Sequence, residues 1–153
     1  MISSQCQLQA GPPIYNNGYL SSPNYPEKYH RDAHCAWQLA VQEHQGIRVT
    51  LFDFELDVKK KGECVDYLEI TSESSTAADD VIVPSDDKDG SSRRVSHFKD
   101  CGAQGRQQIN IESTHALVTF HTDLSSLTER GFLIYFEGSY LFLSIFAFED
   151  TYT

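Results

Sequence analysis

The sequence predicts a single all-β domain, an antiparallel sandwich or barrel. Short segments in which apolar and polar residues alternate are separated by turn-forming residues, and no convincing amphipathic helix is present. The chain has 153 residues, of which 40% are hydrophobic, so it is long enough to bury one substantial core. Its four cysteines are even in number and widely spaced, which is typical of a disulfide-stabilised β domain.

Five segments alternate in the way expected of half-buried strands. Because neighbouring side chains on a strand point to opposite faces, the apolar positions of each segment should face the core. In chain order these positions are Trp37, Leu39 and Val41; Ile47, Val49 and Leu51; Leu68 and Ile70; Val118 and Phe120; and Phe132, Ile134 and Phe136.

Three stretches do not fit the strand pattern. Residues 21–26 contain two prolines and predict an extended turn. Residues 72–94 are rich in Ser, Asp, Ala and Gly and predict one long loop. Residues 139–153 are mostly a continuous apolar run and predict a separate tail. That run covers only residues 140–148, whereas a membrane span needs roughly 20 residues, so no span is predicted within the chain.

The chain is acidic, with a formal net charge of −10 at pH 7. Nucleic acid is excluded as a partner by this charge, because its phosphates require a basic face. Hard cations and basic protein partners are favoured instead.

The cysteines are Cys6, Cys35, Cys64 and Cys101, and no two of them form a C-x-x-C pair. A zinc ribbon or redox motif is therefore disfavoured, and two disulfides formed in an oxidising compartment are predicted. Three pairings are possible. Sequential pairing is favoured because it closes two moderate loops, each stabilising the fold by roughly 3–4 kcal/mol, although spacing leaves the other pairings open. Residues 1–5 form a polar N-terminal tail without a secretory signal, so this interpretation predicts a fragment or an incomplete gene model.

A series of motifs runs between the first cysteine and residue 138. In chain order they are Gly18-Tyr19-Leu20-Ser21-Ser22-Pro23-Asn24-Tyr25-Pro26, Tyr29, Cys35-Ala36-Trp37, residues 47–54, residues 64–70, Cys101-Gly102, Phe120-His121-Thr122-Asp123 and residues 131–136. In their order and spacing they resemble the motifs of the CUB domain family. The resemblance implies a two-sheet, jelly-roll-like antiparallel β-sandwich over residues 6–138. It also implies disulfides between the first and second and between the third and fourth cysteines.

CUB domains are interaction modules of complement and tolloid-type proteases, of endocytic and neuronal receptors, and of spermadhesins. The resemblance therefore implies an extracellular protein-binding module, secreted or part of a membrane-protein ectodomain, rather than an enzyme. The residues agree with this, since the chain lacks the G-x-S-x-G and H-E-x-x-H motifs. Its six histidines are interpreted as surface residues, and the even spacing of His115 and His121 alone predicts no site.

Many CUB domains bind calcium at one end of the sandwich. The matching positions here are Tyr29, Asp57, Asp66, Asp123 and Ser125. Calcium prefers six to eight hard oxygen ligands, which such residues supply. The family usually has Glu where Asp57 stands, and this shorter side chain would ligate through a shifted backbone or a water, or would not ligate. The alternative is that the acidic residues only accept hydrogen bonds from loop backbone.

In calcium-binding members a lysine of the partner often docks on the same residues. The resemblance therefore implies that Asp57, Asp66 and Ser125 also contact a basic side chain of the partner. Two alternatives stay open. One is a calcium-independent CUB module of a receptor, auxiliary subunit or extracellular protease, and the other is a spermadhesin-like carbohydrate binder.

Overall fold

The computed structural model describes residues 2–3, 6, 11–73, 93–124 and 127–140. Within these residues the chain forms strands and no helix. The strands are β1 (Ile2–Ser3), β2 (Ile14–Tyr15), β3 (Asn17–Ser21), β4 (His34–Ala40), β5 (Gly46–Glu55), β6 (Tyr67–Glu73), β7 (Arg94–Asp100), β8 (Gln107–Ile111), β9 (His115–His121) and β10 (Gly131–Ser139).

The strands form two five-stranded sheets whose inner faces share one hydrophobic core. Sheet A has the order β1-β3-β10-β5-β8, and sheet B has the order β2-β4-β9-β6-β7. The long pairings are antiparallel, and only the two-residue strands β1 and β2 pair in parallel. The predicted all-β sandwich is confirmed.

The five alternating segments predicted from the sequence occupy β4, β5, β6, β9 and β10, apart from Val41, which directly follows β4, and all their apolar positions are buried. Aromatic side chains join the two sheets. Trp37 of β4 packs edge-on against Phe132 of β10 at a centroid distance of 6.1 Å, and Phe132 packs against Phe120 of β9 at 5.2 Å. Each such pair stabilises the fold by about 0.5–1.5 kcal/mol beyond the area that it buries.

Strands β7 and β8 were not predicted. Each lies at the edge of a sheet, and most of its residues are exposed or half-buried, so it lacks a clear apolar face. The predicted loop over residues 72–94 is wrong at its ends, because Ser72 pairs with Val95 and Glu73 with Arg94. The remainder of that loop, residues 74–92, lies outside the described residues. Likewise Ser21, placed in a turn from the sequence, is the last residue of β3 and pairs with Leu133.

A β-bulge in β5 changes which residues face the core. Leu133 of β10 pairs with Asp53 and the next residue, Ile134, pairs with Leu51, so Phe52 is the extra residue. Leu51 and Phe54 are therefore both buried although they are three positions apart, which strict alternation would forbid. The bulge thereby keeps Asp53 out of the core and sets the direction in which the strand enters the loop that carries Asp57.

The disulfides join Cys6 to Cys35 and Cys64 to Cys101. This is the sequential pairing favoured by the sequence. At the other end of the chain, β10 continues through Ser139, which pairs with Gly46, while residues 141–153 of the predicted tail lie outside the described residues. The described part of the chain has no helix long and apolar enough to cross a membrane.

Candidate acidic site at one end of the sandwich

Tyr29 lies in the turn between β3 and β4 and is only 2% exposed. Its ring packs edge-on against Phe120 at a centroid distance of 5.3 Å, and its backbone N–H donates to the carbonyl of Glu129 over 3.0 Å. These contacts anchor the ring in the core and direct the hydroxyl toward two neighbouring acidic residues.

The Tyr29 hydroxyl joins two loops. It donates to Asp66 Oδ2 over 2.8 Å and accepts the backbone N–H of Asp57 over 3.0 Å. Burial raises the pKa of this hydroxyl well above its usual range, so the group stays protonated and can donate to the carboxylate.

Asp66 stands two residues after Cys64 and directly before β6, and it is 1% exposed. One carboxylate oxygen accepts from Tyr29, and the other accepts the backbone N–H of Asp123 over 3.1 Å. Asp66 therefore connects the turn that contains Tyr29 with the segment that follows β9.

Asp57 follows the end of β5 and is 5% exposed. Its carboxylate accepts the backbone N–H groups of Val58 over 2.9 Å and of Leu127 over 3.0 Å, and it contacts Lys60 Nζ at 3.1 Å. Burial opposes ionisation of this carboxyl, but the hydrogen bonds from Leu127 and Lys60 outweigh it, so the pKa of Asp57 lies below its usual value. Asp57 is therefore ionised at neutral pH.

The chain turns sharply just after Lys60. The backbones of Lys60 and Glu63 exchange hydrogen bonds of 2.9 and 3.1 Å, and both intervening residues have positive φ, 53° at Lys61 and 83° at Gly62. Such a tight turn favours glycine at its second central position. Lys60, one of three consecutive lysines at residues 59–61, contributes one ammonium group directly to the site.

The structure brings together Tyr29, Asp57 and Asp66, and it joins Asp123 to them through its backbone N–H. Ser125, the fifth residue predicted for this site, lies outside the described residues. Asp57 already accepts hydrogen bonds from loop backbone, as the alternative interpretation of the acidic residues requires.

A second cluster of possible metal ligands lies near the disulfide between Cys64 and Cys101. Across the described residues, the one group of three His, Cys, Asp or Glu residues whose ligand atoms lie within 4.8 Å of one another is Cys64, Asp100 and Cys101. Both sulfurs of that group belong to a disulfide, so it offers no thiolate to a metal. The carboxylates of Asp57, Asp66 and Asp123 are spaced more widely.

The acidic end fits calcium by the chemistry of its donors. Asp57, Asp66 and Asp123 supply carboxylate oxygens, the ligand type that calcium prefers. Two of these carboxylates are almost fully buried, and a cation would offset the cost of holding them there. The positive charge of Lys60 Nζ already stabilises the Asp57 carboxylate. Lys60 would therefore compete with a metal ion for that carboxylate.

The same end carries a pair of histidines that the sequence analysis missed. His34 begins β4 and His121 ends β9, and the two residues are directly opposite in the pairing of these strands. Their Nδ1 atoms are 2.8 Å apart. Their separation of 87 positions along the chain gives no local signal, and only the register of β4 against β9 could have predicted the contact.

Comparison with known proteins identifies relatives of this fold. A family model described as the CUB domain matches residues 10–82. Cubilin of Sus scrofa is 31% identical over 119 residues, which cover 78% of this chain and 3% of cubilin. Bone morphogenetic protein 1 of Xenopus laevis is 29% identical over 124 residues, which cover 80% of this chain and 15% of that protein. The chain therefore spans only a small part of the curated relatives that it matches.

Among solved structures, a MASP-1 CUB2 domain bound to Ca²⁺ superposes with a TM-score of 0.57 at 20% sequence identity. The match covers 84% of this chain and 99% of that domain. At this level of identity the similarity shows a shared fold.

Proposed function

The chain contains a CUB domain, and from that premise we propose that it is a calcium-dependent protein-binding module whose site is the acidic end of the sandwich. CUB domains are non-catalytic interaction modules of extracellular proteins, and this chain, with its two disulfides, is extracellular. To this we add a bound calcium ion, the residues that hold it, and a basic side chain as the group of the partner that is recognised.

The observation that carries the proposal is the burial of two acidic residues that both contact the hydroxyl of one tyrosine. Asp57 and Asp66 are 5% and 1% exposed, and Tyr29 contacts both residues. Removing a carboxylate from water is costly unless the charge is compensated, and acidic residues are rarely buried so deeply without a partner. Tyr29, loop N–H groups and Lys60 already compensate these charges in part, and a bound divalent cation at this end would add to that compensation.

Each proposed ligand has a distinct part in the site. Asp66 and Asp123 would hold the cation, and Ser125, two positions after Asp123 in the sequence, would be a further ligand. Tyr29 would fix the position of Asp66 through its hydroxyl. Asp57 would contribute its remaining acceptor capacity, since Lys60 occupies part of its carboxylate. The calcium-bound MASP-1 domain with the same fold supports a cation in such a sandwich.

Calcium supplies one chemical property, a concentrated positive charge that orders oxygen-rich loops. The residues themselves would bind the partner. Asp57 and Asp66 would accept charge-assisted hydrogen bonds from a basic side chain of the partner, and Ser125 would be a third residue in contact with it. The contact between Lys60 Nζ and Asp57 Oδ2, at 3.1 Å, supports this part because it already pairs an ammonium group with this carboxylate.

A calorimetric calcium titration of the oxidised protein tests the cation. We expect saturable binding to one site that is lost in Asp123→Ala. Glu69→Gln is the matched control, because it removes one negative charge from the middle of β6, where Glu69 pairs with Lys99. Absence of binding in the folded wild type, or equal binding by Asp123→Ala, would contradict the proposal.

Surface plasmon resonance against candidate extracellular proteins tests the partner. Binding should require calcium, should disappear in chelator and should weaken in Asp66→Asn. Equal binding with calcium and with chelator would rule out the calcium mechanism while leaving the CUB domain an interaction module.

A second candidate function has support on the outer face of sheet A. Tyr19 and Phe52 are 39% and 38% exposed, and the rings of Tyr19 and Tyr135 lie 4.8 Å apart. Arg106 lies over Phe52 at 4.7 Å. Exposed aromatic side chains beside a polar group suit calcium-independent recognition, including the carbohydrate binding considered from the sequence. Glycan-array binding that persists in chelator and is lost in Tyr19→Ala would support this candidate, and a silent array would reject its carbohydrate form.

A further inference from the structure

The end of sheet B carries three aromatic side chains in a row, at the start of β4, the end of β9 and the start of β6. His34 is paired with His121, and His121 is paired with Tyr67 on its other side. The His34 and His121 ring centroids are 4.5 Å apart, and Tyr67 stacks on His121 at 5.3 Å. Both histidines lie on the outer face, next to buried neighbours Cys35 and Phe120.

The two imidazoles meet through the same ring atom. His34 Nδ1 and His121 Nδ1 are 2.8 Å apart, so one of these atoms carries a proton and the other offers a lone pair. Asp32 Oδ1 lies 3.3 Å from His34 Nε2. A proton on His34 Nε2 satisfies that carboxylate, which leaves His34 Nδ1 as the acceptor and His121 Nδ1 as the donor.

This arrangement is close to that of two histidines sharing a metal ion. Two imidazole nitrogens bound to one tetrahedral zinc ion at about 2.0–2.1 Å stand about 3.3 Å apart. The observed separation of 2.8 Å differs from this by about half an ångström, which a small rotation of the exposed His34 ring and the half-buried His121 ring supplies. Binding would require the Nδ1 proton of His121 to move to its Nε2, after which both Nδ1 lone pairs face the ion.

In such a site Asp32 would hold the His34 ring in position by accepting a hydrogen bond from its Nε2. Metal-binding histidines usually donate their other ring N–H to a carboxylate or carbonyl, which fixes the tautomer and the ring orientation. Asp32 is itself held by its backbone, whose N–H donates to the carbonyl of Asp123 over 3.1 Å. His30, nearby in sequence, points elsewhere, since its Nε2 contacts Asn24 Nδ2 at 2.9 Å.

We propose that His34 and His121 bind a divalent transition-metal ion, of which Zn²⁺ is the probe of choice, through their Nδ1 atoms, and that Asp32 positions His34. Imidazole nitrogen favours zinc, copper and nickel over calcium, so this site differs in ligand chemistry from the acidic end proposed above. Two protein ligands leave further coordination positions for water.

The test is a calorimetric titration of the full oxidised chain with Zn²⁺ in saturating calcium. One zinc ion should bind per chain. His34→Ala and His121→Ala should each weaken binding by about tenfold or more, and Asp32→Asn should weaken it by about tenfold. The matched control is His115→Ala, since His115 is exposed at the opposite end of β9 and contacts Thr114; it should bind zinc as the wild type does. Equal zinc affinity in His34→Ala and the wild type would overturn the proposal.

Nitrogen-15 NMR of the wild type provides a readout that does not depend on the variants. Zinc should move the Nδ1 resonances of two histidines together and leave Nε2 of both in the N–H form. Shifts confined to Nε2 atoms, or spread over all six histidines, would assign the ion to other groups and overturn the proposal.

Discussion

Tyr29 donates a hydrogen bond of 2.8 Å to Asp66, and the same hydroxyl oxygen accepts the backbone N–H of Asp57. One phenol therefore connects the turn before β4, the loop after β5 and the residue before β6. Because the ring is fixed against Phe120, the hydroxyl cannot follow a carboxylate that moves. The acidic residues are positioned by the core of the sandwich as well as by one another.

Removing this hydroxyl should destabilise the fold. In Tyr29→Phe the buried N–H of Asp57 and the buried Oδ2 of Asp66 each lose a partner, and an unsatisfied buried group costs about 1–3 kcal/mol. We expect the free energy of unfolding to fall by about 2 kcal/mol or more in urea denaturation. Tyr15→Phe is the control, because Tyr15 is 64% exposed and should change stability by no more than about 0.5 kcal/mol. Equal midpoints for the two variants would show that the hydroxyl contributes nothing.

The central strands could be predicted from the sequence because burial on one face leaves an alternating pattern. The edge strands could not, since β7 exposes most of its side chains and its assignment depends on pairing with β6. The resemblance named Tyr29, Asp57 and Asp66, which the structure places in contact, while their part in a binding site stays a prediction. The contact between Lys60 and Asp57 was not predicted, because the sequence does not show which of the three consecutive lysines at residues 59–61 points toward the acidic residues. The histidine pair depends on register between strands far apart in sequence, which no local pattern contains.

An ion-pair network at the start of β10 should make stability depend on pH. Arg130 donates to both carboxylate oxygens of Asp53, over 2.7 and 2.8 Å, and contacts Glu55 as well. Arg130 is the main reason that the pKa of Asp53 lies below its usual value. A lowered pKa in the folded state stabilises the protein above the unfolded value of about 4, and this contribution disappears as the pH falls through the folded value.

Arg130→Gln should therefore lower the free energy of unfolding at pH 7, by about 1 kcal/mol or less because the arginine is partly exposed. The difference from the wild type should shrink below about pH 4, as Asp53 becomes protonated in both proteins. Lys28→Gln removes the same charge from an exposed position and controls for net charge. Urea denaturation at pH 7 and pH 3 measures both. A difference that stays constant between these two pH values would exclude the ion pair as its cause.

The disulfide between Cys64 and Cys101 joins the two segments that hold the acidic residues. Asp66 follows Cys64 by two positions, while Gly102 exchanges backbone hydrogen bonds with the segment of Leu56 and Asp57, of 2.8 and 3.1 Å. Its loop has a sequence separation of 37 residues, for which the chain-entropy model gives about 4 kcal/mol.

The double variant Cys64→Ala/Cys101→Ala should lose about 4 kcal/mol of unfolding free energy, measured by urea denaturation with the other disulfide intact. Reduction of both disulfides in the wild type should cost more than the double variant does. A loss below about 1 kcal/mol would indicate that the unfolded chain is already compact in this region.

Lys60 should weaken the proposed calcium binding at the acidic end, because its Nζ lies 3.1 Å from Asp57 Oδ2 and occupies an oxygen that the proposed cation would use. In Lys60→Met this competing charge is removed while the length of the side chain is kept. Partly exposed ion pairs contribute about 0.2–1 kcal/mol, so we expect calcium affinity to rise by up to about fivefold in calorimetry. This gain in calcium affinity should also be smaller at high salt, because salt screens the attraction between Lys60 and Asp57 in the wild type.

The neighbouring Lys59→Met is the matched control for this prediction, since Lys59 is exposed and its loss changes the net charge equally. A rise in affinity for Lys60→Met alone identifies direct competition at Asp57. Equal rises in both variants would show only the general effect of charge. A fall in affinity for Lys60→Met would show instead that the lysine holds the loop in the conformation that binds calcium, because its contact with Asp57 would then be needed to position that carboxylate.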